Sequence, residues 1–375
     1  MRTLRALPLF LLLGLLGGCS LAEQVAVDPP PEDYVAVEDG FRYEKSCLSA
    51  QEQYTYDQVL EGLQSHALRI EGLYADTDMI DRVVRAIDRD YPELFWFSGT
   101  GQIEVTYLRD VSIKADYVPE YTMDEGLQAE VQAMVDQWEK DCVAGIPSGA
   151  SDYEKAIHVY EYLIDHADYK TVEENSIVNI MVYGEGLCGC YAKTAQYMLC
   201  RLGIPCAYIS GQADGVSHAW NLVWLDGVPC WMDPTWGDPV FEGGNSGDGP
   251  AYEFFGLTSE ELMRTHTPDD TVPLPDCTSR DYNYFIRNEL YLEGYQSDQV
   301  AAAVERCLQS GKNRVCLQFD ADGYRQAIRG LFSQGDIYKI FRIAGDITGV
   351  PLNLAQSIRY SVNDTMYTMS IKIPY

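Results

Sequence analysis

Positive charge is scarce in this chain. Its 375 residues hold 27 Lys and Arg against 57 Asp and Glu, a formal net charge of −30. A surface of that sign repels a phosphate backbone, which sets nucleic acid aside as a partner. After the first few residues no segment offers the roughly 20 apolar residues that a membrane-spanning helix needs. Internal repeats are missing too, which excludes a solenoid or a propeller. The 11 cysteines follow no repeating spacing and do not read as a disulfide framework, though one or two bridges are compatible with export. Histidine is also rare, at five, so each histidine in a patterned position carries weight.

What the N-terminus does hold is a short export pattern. Arg2 and Arg5 precede an almost continuously apolar Leu7 to Leu16, followed by Gly17-Gly18-Cys19. A charged start, a short apolar run and small residues before a cut site describe a secretory signal. Cysteine after Leu16-Gly17-Gly18 resembles the bacterial lipobox, which implies cleavage after residue 18 and a diacylglyceryl group on the Cys19 thiol. The expected location is the extracytoplasmic face of the cell membrane, with the chain held by that lipid. Residues 19–38, with Pro29-Pro30-Pro31, cannot build a core and read as a tether.

The remaining length suits one large or two ordinary domains. Residues 39–145 read as an α+β region. Helical spacing falls within Tyr54–Leu73, over Asp76–Arg89 (Met79, Ile80, Val83, Val84, Ile87) and over Met123–Trp138. Pro92 to Phe97 ends the second helix and opens an aromatic strand, with strand-like runs at Ile103–Leu108 and Val111–Tyr117. A Gly-, Pro- and Ser-rich loop, Gly145–Ser151, leads to Asp152 as the N-cap of a helix reaching about His166. Residues 146–267 read as a separate core. Thr258 to Glu261 has the form of a capping box, and Pro268–Asp281 reads as a linker. Residues 282–375 form a second α+β region. Helices are expected at Ser297–Leu308 and Tyr324–Phe332, a strand at Val315–Phe319, and a hairpin from Ile358–Val362 and Met366–Ile373.

Two stretches of the core carry chemistry. After Cys188, the apolar residues Ala192, Ala195, Leu199 and Leu202 lie on one helix face, and Gly203 and Pro205 end the helix. Cys188 therefore stands at a helix N-terminus. Unpaired N–H groups and the helix dipole there favour a thiolate and can hold an oxyanion. Further on, Asp226-Gly227 between two aromatic, branched runs signals a two-residue hairpin turn. Pairing Leu225 with Val228 puts Trp220 opposite Asp233. His218 then shares that face as a diagonal neighbour of Asp233, where an acid can orient and stabilise an imidazole. Pro229 falls opposite Trp224, tolerable if its outer side is a sheet edge.

Gly186-Leu187-Cys188 with Tyr191-Ala192, then Leu202-Gly203-Ile204-Pro205, His218-Ala219-Trp220-Asn221 and Met232-Asp233-Pro234-Thr235-Trp236 together resemble the transglutaminase-like superfamily. The likeness covers about Asp152 to Pro239. It implies Cys188 as nucleophile, His218 as base and Asp233 as orienting acid. It implies an α+β, papain-like core in which the nucleophile helix packs on an antiparallel sheet. It also implies thioester chemistry on the amide bonds of a protein or peptide, with no cofactor; it does not itself select between hydrolysis and cross-linking, of which hydrolysis is the expected outcome. Tyr183, Tyr191, Trp220 and Trp236 are candidates for substrate or oxyanion contact, the tryptophans being also natural core residues. Cys190 stands where the family pattern usually has Gly, which makes it a rival thiol or a packing residue. A metal site from Cys188, Cys190 and His218 lacks the spacing of zinc pairs and a fourth ligand. No Asp-rich loop suggests calcium. His158 and His166 read as surface or packing residues. A different class of function, a non-catalytic surface module with its partner face in 282–375, is separable from the enzyme by the reactivity of Cys188.

The export pattern makes its own prediction. Produced in a bacterial host, the chain partitions with membranes and takes up labelled lipid, and Cys19→Ala abolishes the labelling. Equal lipid labelling of the Cys19→Ala variant would overturn the anchor.

Overall fold

A computed structural model describes residues 31, 34–37, 39–108, 111–238 and 249–375. The export signal, Cys19 and most of the tether lie outside the described residues. The chain mixes helix and sheet throughout, the α+β class expected. Among the described residues no helix is long and apolar enough to cross a membrane. The described residues divide into two compact units: those up to 145 with 170–208 and 270–273, and those of 146–169, 209–238, 249–269 and 274–375. The stretch 146–267 is therefore shared between them, and 282–375 clusters with 209–269.

The first unit opens with α1 (Tyr43–Ser46) and α2 (Ala50–Gln64), the latter started by a Ser49–Glu52 capping box. β1 (Ile70–Leu73) and α3 (Thr77–Asp90) follow. The spacing Ile80, Val83, Val84, Ile87 gives α3 a buried face, and the Asp76 carboxylate caps it by accepting the Met79 N–H. Pro92 to Trp96 form turns, and the strand β2 (Phe97–Leu108) begins only at Phe97. The expected aromatic strand at 92–97 is thus a buried turn, because the Leu94 and Phe97 N–H groups bond back to Tyr91 and Leu94. β2 pairs antiparallel with β3 (Val111–Tyr121), and the three strands run β1-β3-β2. Next come α4 (Glu125–Ala144), capped by Asp124, and α5 (Asp152–Asp165), which belongs to the second unit. Its N-cap is Ser151, in a capping box with Glu154, and Asp152 sits in the first turn. The serine wins because its hydroxyl reaches the Glu154 N–H while Glu154 reaches back. α6 (Ile177–Met181) and α7 (Cys188–Arg201) complete the first unit.

The second unit holds a five-stranded antiparallel sheet of β4 (Cys206–Ala213), β5 (Val216–Leu225), β6 (Val228–Met232), β7 (Phe255–Leu257) and β8 (His266–Pro268), in the order β8-β4-β5-β6-β7. Being central, β5 is buried on both faces over 218–223. Between β7 and β8 stands α8 (Ser259–Leu262), whose Thr258–Glu261 capping box is as expected. The C-terminal part adds α9 (Tyr284–Arg287), β9 (Tyr291–Leu292), α10 (Ser297–Gln309), β10 (Arg314–Phe319), α11 (Ala321–Ala327), α12 (Asp336–Thr348), β11 (Tyr360–Asn363) and β12 (Thr368–Lys372). Its sheet runs β9-β10-β12-β11, and β11 with β12 forms the expected hairpin, closed at Asn363 and Thr368. The helix expected at 324–332 is α11 running into a π-helical stretch, Ile328–Ser333. Helix α12 was not among the expectations, although Ile337, Ile340, Phe341 and Ala344 carry its period and are buried.

One buried group ties the start of the first unit together. Asp90, 1 % exposed, accepts the Glu44 N–H at 3.0 Å, the Lys45 N–H at 2.8 Å and the Tyr56 hydroxyl at 3.0 Å. Burial pushes its carboxyl up to about 7 against these donors. With the folded value raised, the native state holds a proton that the unfolded chain has released between the ordinary carboxylate range and pH 7. Stability from this group is therefore present at low pH and declines as pH rises through that window, by up to about 1.4 kcal/mol per pH unit. Asp90→Asn removes this decline. Urea unfolding from pH 4.5 to 7.5 should show the wild type losing stability relative to Asp90→Asn, and parallel curves would contradict the assignment.

Candidate active site

Cys188 is the first residue of α7. Its N-cap is Leu187, in extended conformation (φ −91°, ψ 176°). Leucine carries no acceptor, so the side chain does not compete for the N–H groups of the first turn. Cys188 is part-exposed, whereas Gly189 through Leu199 are all buried. The helix is covered around its circumference, beyond the single apolar face read from the sequence. Even Lys193 is inside, neutralised by Asp88 at 2.7 Å. A side chain on Gly189 would collide with Asn175, whose Cγ lies 2.5 Å from the position of a Cβ. Glycine after the nucleophile candidate thus admits the Asn175 amide beside the helix start. Cys190 is buried, with its sulfur toward the Glu174 carbonyl at 3.6 Å. Burial pushes its thiol up, which disfavours the thiolate and makes it a packing residue.

In the second unit the hairpin has the expected register. Leu225 pairs with Val228, Trp224 with Pro229 and Asn221 with Met232. Asp226 and Gly227 both have positive φ, +48° and +80°, as a type I′ turn requires. Pro229 is tolerated because β7 pairs with β6 only at Trp231 and Met232. The register carries His218 and Asp233 to one face, where His218 Nε2 lies 2.8 Å from Asp233 Oδ2. Asp233 is fully buried and its other oxygen, Oδ1, accepts the N–H groups of Thr235 (2.9 Å) and Trp236 (3.2 Å). Gly237 lets this turn close, since a Cβ there would stand 1.9 Å from the Tyr160 hydroxyl. Burial alone would raise the Asp233 carboxyl, but the imidazole donors outweigh it and hold the group below its ordinary value.

A second histidine completes the arrangement, and the sequence reading missed it. His266 opens β8, paired with Ala213 of β4, and its Nε2 lies 3.1 Å from the same Asp233 Oδ2. Its Nδ1 is 2.8 Å from Thr265 Oγ1. Trp236 covers both imidazoles, with ring centroids 5.9 Å from His218 and 4.6 Å from His266, and Trp220 and Phe254 close the remaining sides. Only scarcity pointed to His266, one of five histidines. The sequence carried no spacing that joins it to Asp233, 33 positions away.

His218, Asp233 and His266 are a donor set that a transition metal accepts. Their N···O separations of 2.8 and 3.1 Å are hydrogen-bond lengths, shorter than the roughly 3.3 Å between two ligands of a tetrahedral zinc. Hydrogen bonding accounts for the geometry without an ion. Of the other candidates, Tyr191 and Trp220 are fully buried. Tyr183 is 67 % exposed and Trp236 is half-buried. His158 stacks on Tyr162. His166 lies over the same ring and holds the Tyr162 carbonyl at 2.8 Å.

Nε2 of His218 faces Asp233. Asp233 also has a stability role. Its folded value is depressed, so its contribution is present above the ordinary carboxylate range and is lost as pH falls through the folded value. Asp233→Ala leaves four donors facing a gap. The loss in unfolding free energy should be about 3 kcal/mol at pH 7 and shrink below about pH 4. Chemical denaturation at both pH values measures it, and a loss that does not depend on pH would count against the ionised carboxylate.

Residues 140–234 match the family model described as the transglutaminase-like superfamily. No curated protein matches the chain. Among solved structures it is similar to one described as a TGase, with 14 % identity over 47 % of this chain and 52 % of that one, at a TM-score of 0.27. A candidate cysteine protease from Cytophaga hutchinsonii matches at 14 % identity over 36 % of this chain and 62 % of that one, with a TM-score of 0.23. A candidate protease from Parabacteroides distasonis matches at 9 % identity over 36 % of each chain, with a TM-score of 0.22. The chain thus spans about half the length of the first of these, and the chemistry rests on its own residues.

Proposed function

We propose, for a chain that carries a transglutaminase-like domain over residues 140–234, that it is a thiol-dependent acyl-transfer enzyme acting on amide bonds of proteins or peptides. The observation that carries this reading is the buried His218–Asp233 pair at 2.8 Å. A histidine fixed by an ionised carboxylate, in a domain whose Cys188 heads a buried helix, supports a Cys-His-Asp site.

The steps follow from that site. The Cys188 thiolate attacks the amide carbonyl carbon, and N–H groups at the start of α7 stabilise the oxyanion. The C–N bond breaks as the His218 imidazolium delivers its proton from Nδ1 to the leaving amine. A thioester to Cys188 remains. Water, deprotonated by His218, then releases a carboxylic acid, or a second amine releases a new amide. The buried Asp233 compensates the imidazolium charge through both halves. None of these steps calls on a cofactor. Tyr183 and Trp236, which keep exposed surface, are the candidates for substrate contact. Hydrolysis is favoured over cross-linking, and the expected setting is the extracytoplasmic membrane face, with the chain held by Cys19.

Alkylation with iodoacetamide tests the reading. Cys188 should react rapidly and with pH dependence, Cys188→Ala should abolish that modification, and His218→Ala should slow it by about 10²-fold or more. Failure of Cys188 to react in the folded chain would sink the enzyme and leave a binding module. A glutamine peptide with a labelled amine separates the outcomes. Free acid or a cut backbone means hydrolysis, and a labelled peptide means transfer.

A further inference from the structure

We propose that His266 is a positioning residue: a second donor to Asp233 that holds the carboxylate in line and tempers the basicity of His218. The inference deepens the catalytic reading above and depends on it for its consequence in turnover, though not for its primary measurement.

Asp233 Oδ2 receives two imidazoles, His218 at 2.8 Å and His266 at 3.1 Å, while Oδ1 receives two backbone N–H groups. His266 is 1 % exposed and Asp233 is not exposed at all. One negative charge balances one imidazolium. A second imidazolium would be uncompensated among Trp220, Trp236 and Phe254. A proton taken up during catalysis is therefore assigned to His218. The Nε2–H of His266 donates to Asp233 Oδ2. Its Nδ1 lies 2.8 Å from the Thr265 hydroxyl, which can donate to it. Tyr160 of α5 also acts on Asp233, but its phenol is kept protonated by burial. Asp233, His266 and Tyr160 are thus among the titratable groups around His218, and Glu253, Asp238 and Arg314 act on Tyr160 in turn.

Two donors on one oxygen share its acceptor strength. While His266 is bound there, Oδ2 stabilises the His218 imidazolium less than a dedicated carboxylate would, and His218 releases its proton more readily. The bond also keeps Asp233 aligned when His218 is neutral and holds the carboxylate less strongly. An assisted carboxylate of this kind suits a base that must both take and give a proton in one cycle.

The test is an NMR titration of the His218 ring in the full-length protein. In His266→Phe, which keeps a ring but has no donor, the His218 midpoint should rise by about one pH unit, a tenfold gain in proton affinity. His266→Gln, which keeps an amide donor, should return most of the way to wild type. Thr265→Val, a milder change that leaves both rings in place, should move the midpoint in the same upward direction by a smaller step. It keeps the inference testable if the phenylalanine variant does not fold. An unmoved midpoint in folded His266→Phe, a glutamine variant shifted as far as phenylalanine, or a downward shift in Thr265→Val would each overturn the proposal. In turnover, the basic limb of the kcat profile should move with the midpoint while KM changes little, which a packing role would not produce. If Cys188 proves unreactive, the catalytic reading falls while the His218 titration still decides the role of His266.

Discussion

The second unit is organised around a carboxylate that could not be buried alone. Asp233 has no exposed surface, and an isolated ion in that position would cost many kcal/mol or take up a proton. Four donors keep it charged: two imidazoles on one oxygen and two backbone amides on the other. Each donor makes a demand on the fold. The amides require the tight turn after β6, which requires Gly237 beneath Tyr160. His218 requires the parity of the β5–β6 hairpin. His266 requires β8 to lie on β4 in one register. Moving any of these strands by one residue would turn an imidazole to the other face and leave the charge without a partner.

Much of this site was legible in the sequence because it depends on short-range parity. The Asp226-Gly227 turn fixes which residues face each other across ten positions, so counting back to His218 and Asp233 needs no tertiary knowledge. The helix start at Cys188 was legible for the same kind of reason, since Gly203 and Pro205 close a period that opens at Ala192. His266 was not legible. It reaches Asp233 through the pairing of β8 with β4, and no local pattern specifies which strand an edge strand joins. The Asn175 contact with Gly189 is tertiary in the same way. At smaller scale, Ser151 and Asp152 are both good N-caps, and only the reciprocal bond with Glu154 decides between them. The turn at 92–96 misled because aromatic residues favour strands on average, while here their burial is satisfied by turns.

The two thiols near the start of α7 show how burial sorts chemically identical groups. Cys190 is covered and faces a carbonyl, so its thiol is held protonated. Cys188, two residues earlier, keeps exposed surface at the positive end of a helix that is buried from Gly189 through Leu199. The difference comes from the packing of α7, where the burial of Lys193 with Asp88 lets even a charged position face inward. A helix covered on all sides cannot shift to meet a substrate without losing that packing. Its first turn is therefore a rigid platform.

Three glycines make the same point about preorganisation. Gly189 makes room for Asn175, Gly237 for the Tyr160 hydroxyl, and Gly211 for the Trp220 ring and the Thr267 carbonyl. At each, a methyl group would overlap a neighbour by an ångström or more, so the approach is a feature that any larger residue would undo. Trp220 in turn packs edge-on against His266 with ring centroids 4.9 Å apart. The absence of a side chain at Gly211 thus helps to set the place of the second histidine. The consequence for chemistry is that the carboxylate and its two imidazoles are held by backbone closure and not by flexible side-chain choice. An electrostatic arrangement fixed in this way need not reorganise when a proton arrives on His218, and that is the condition under which a buried ion pair lowers a barrier.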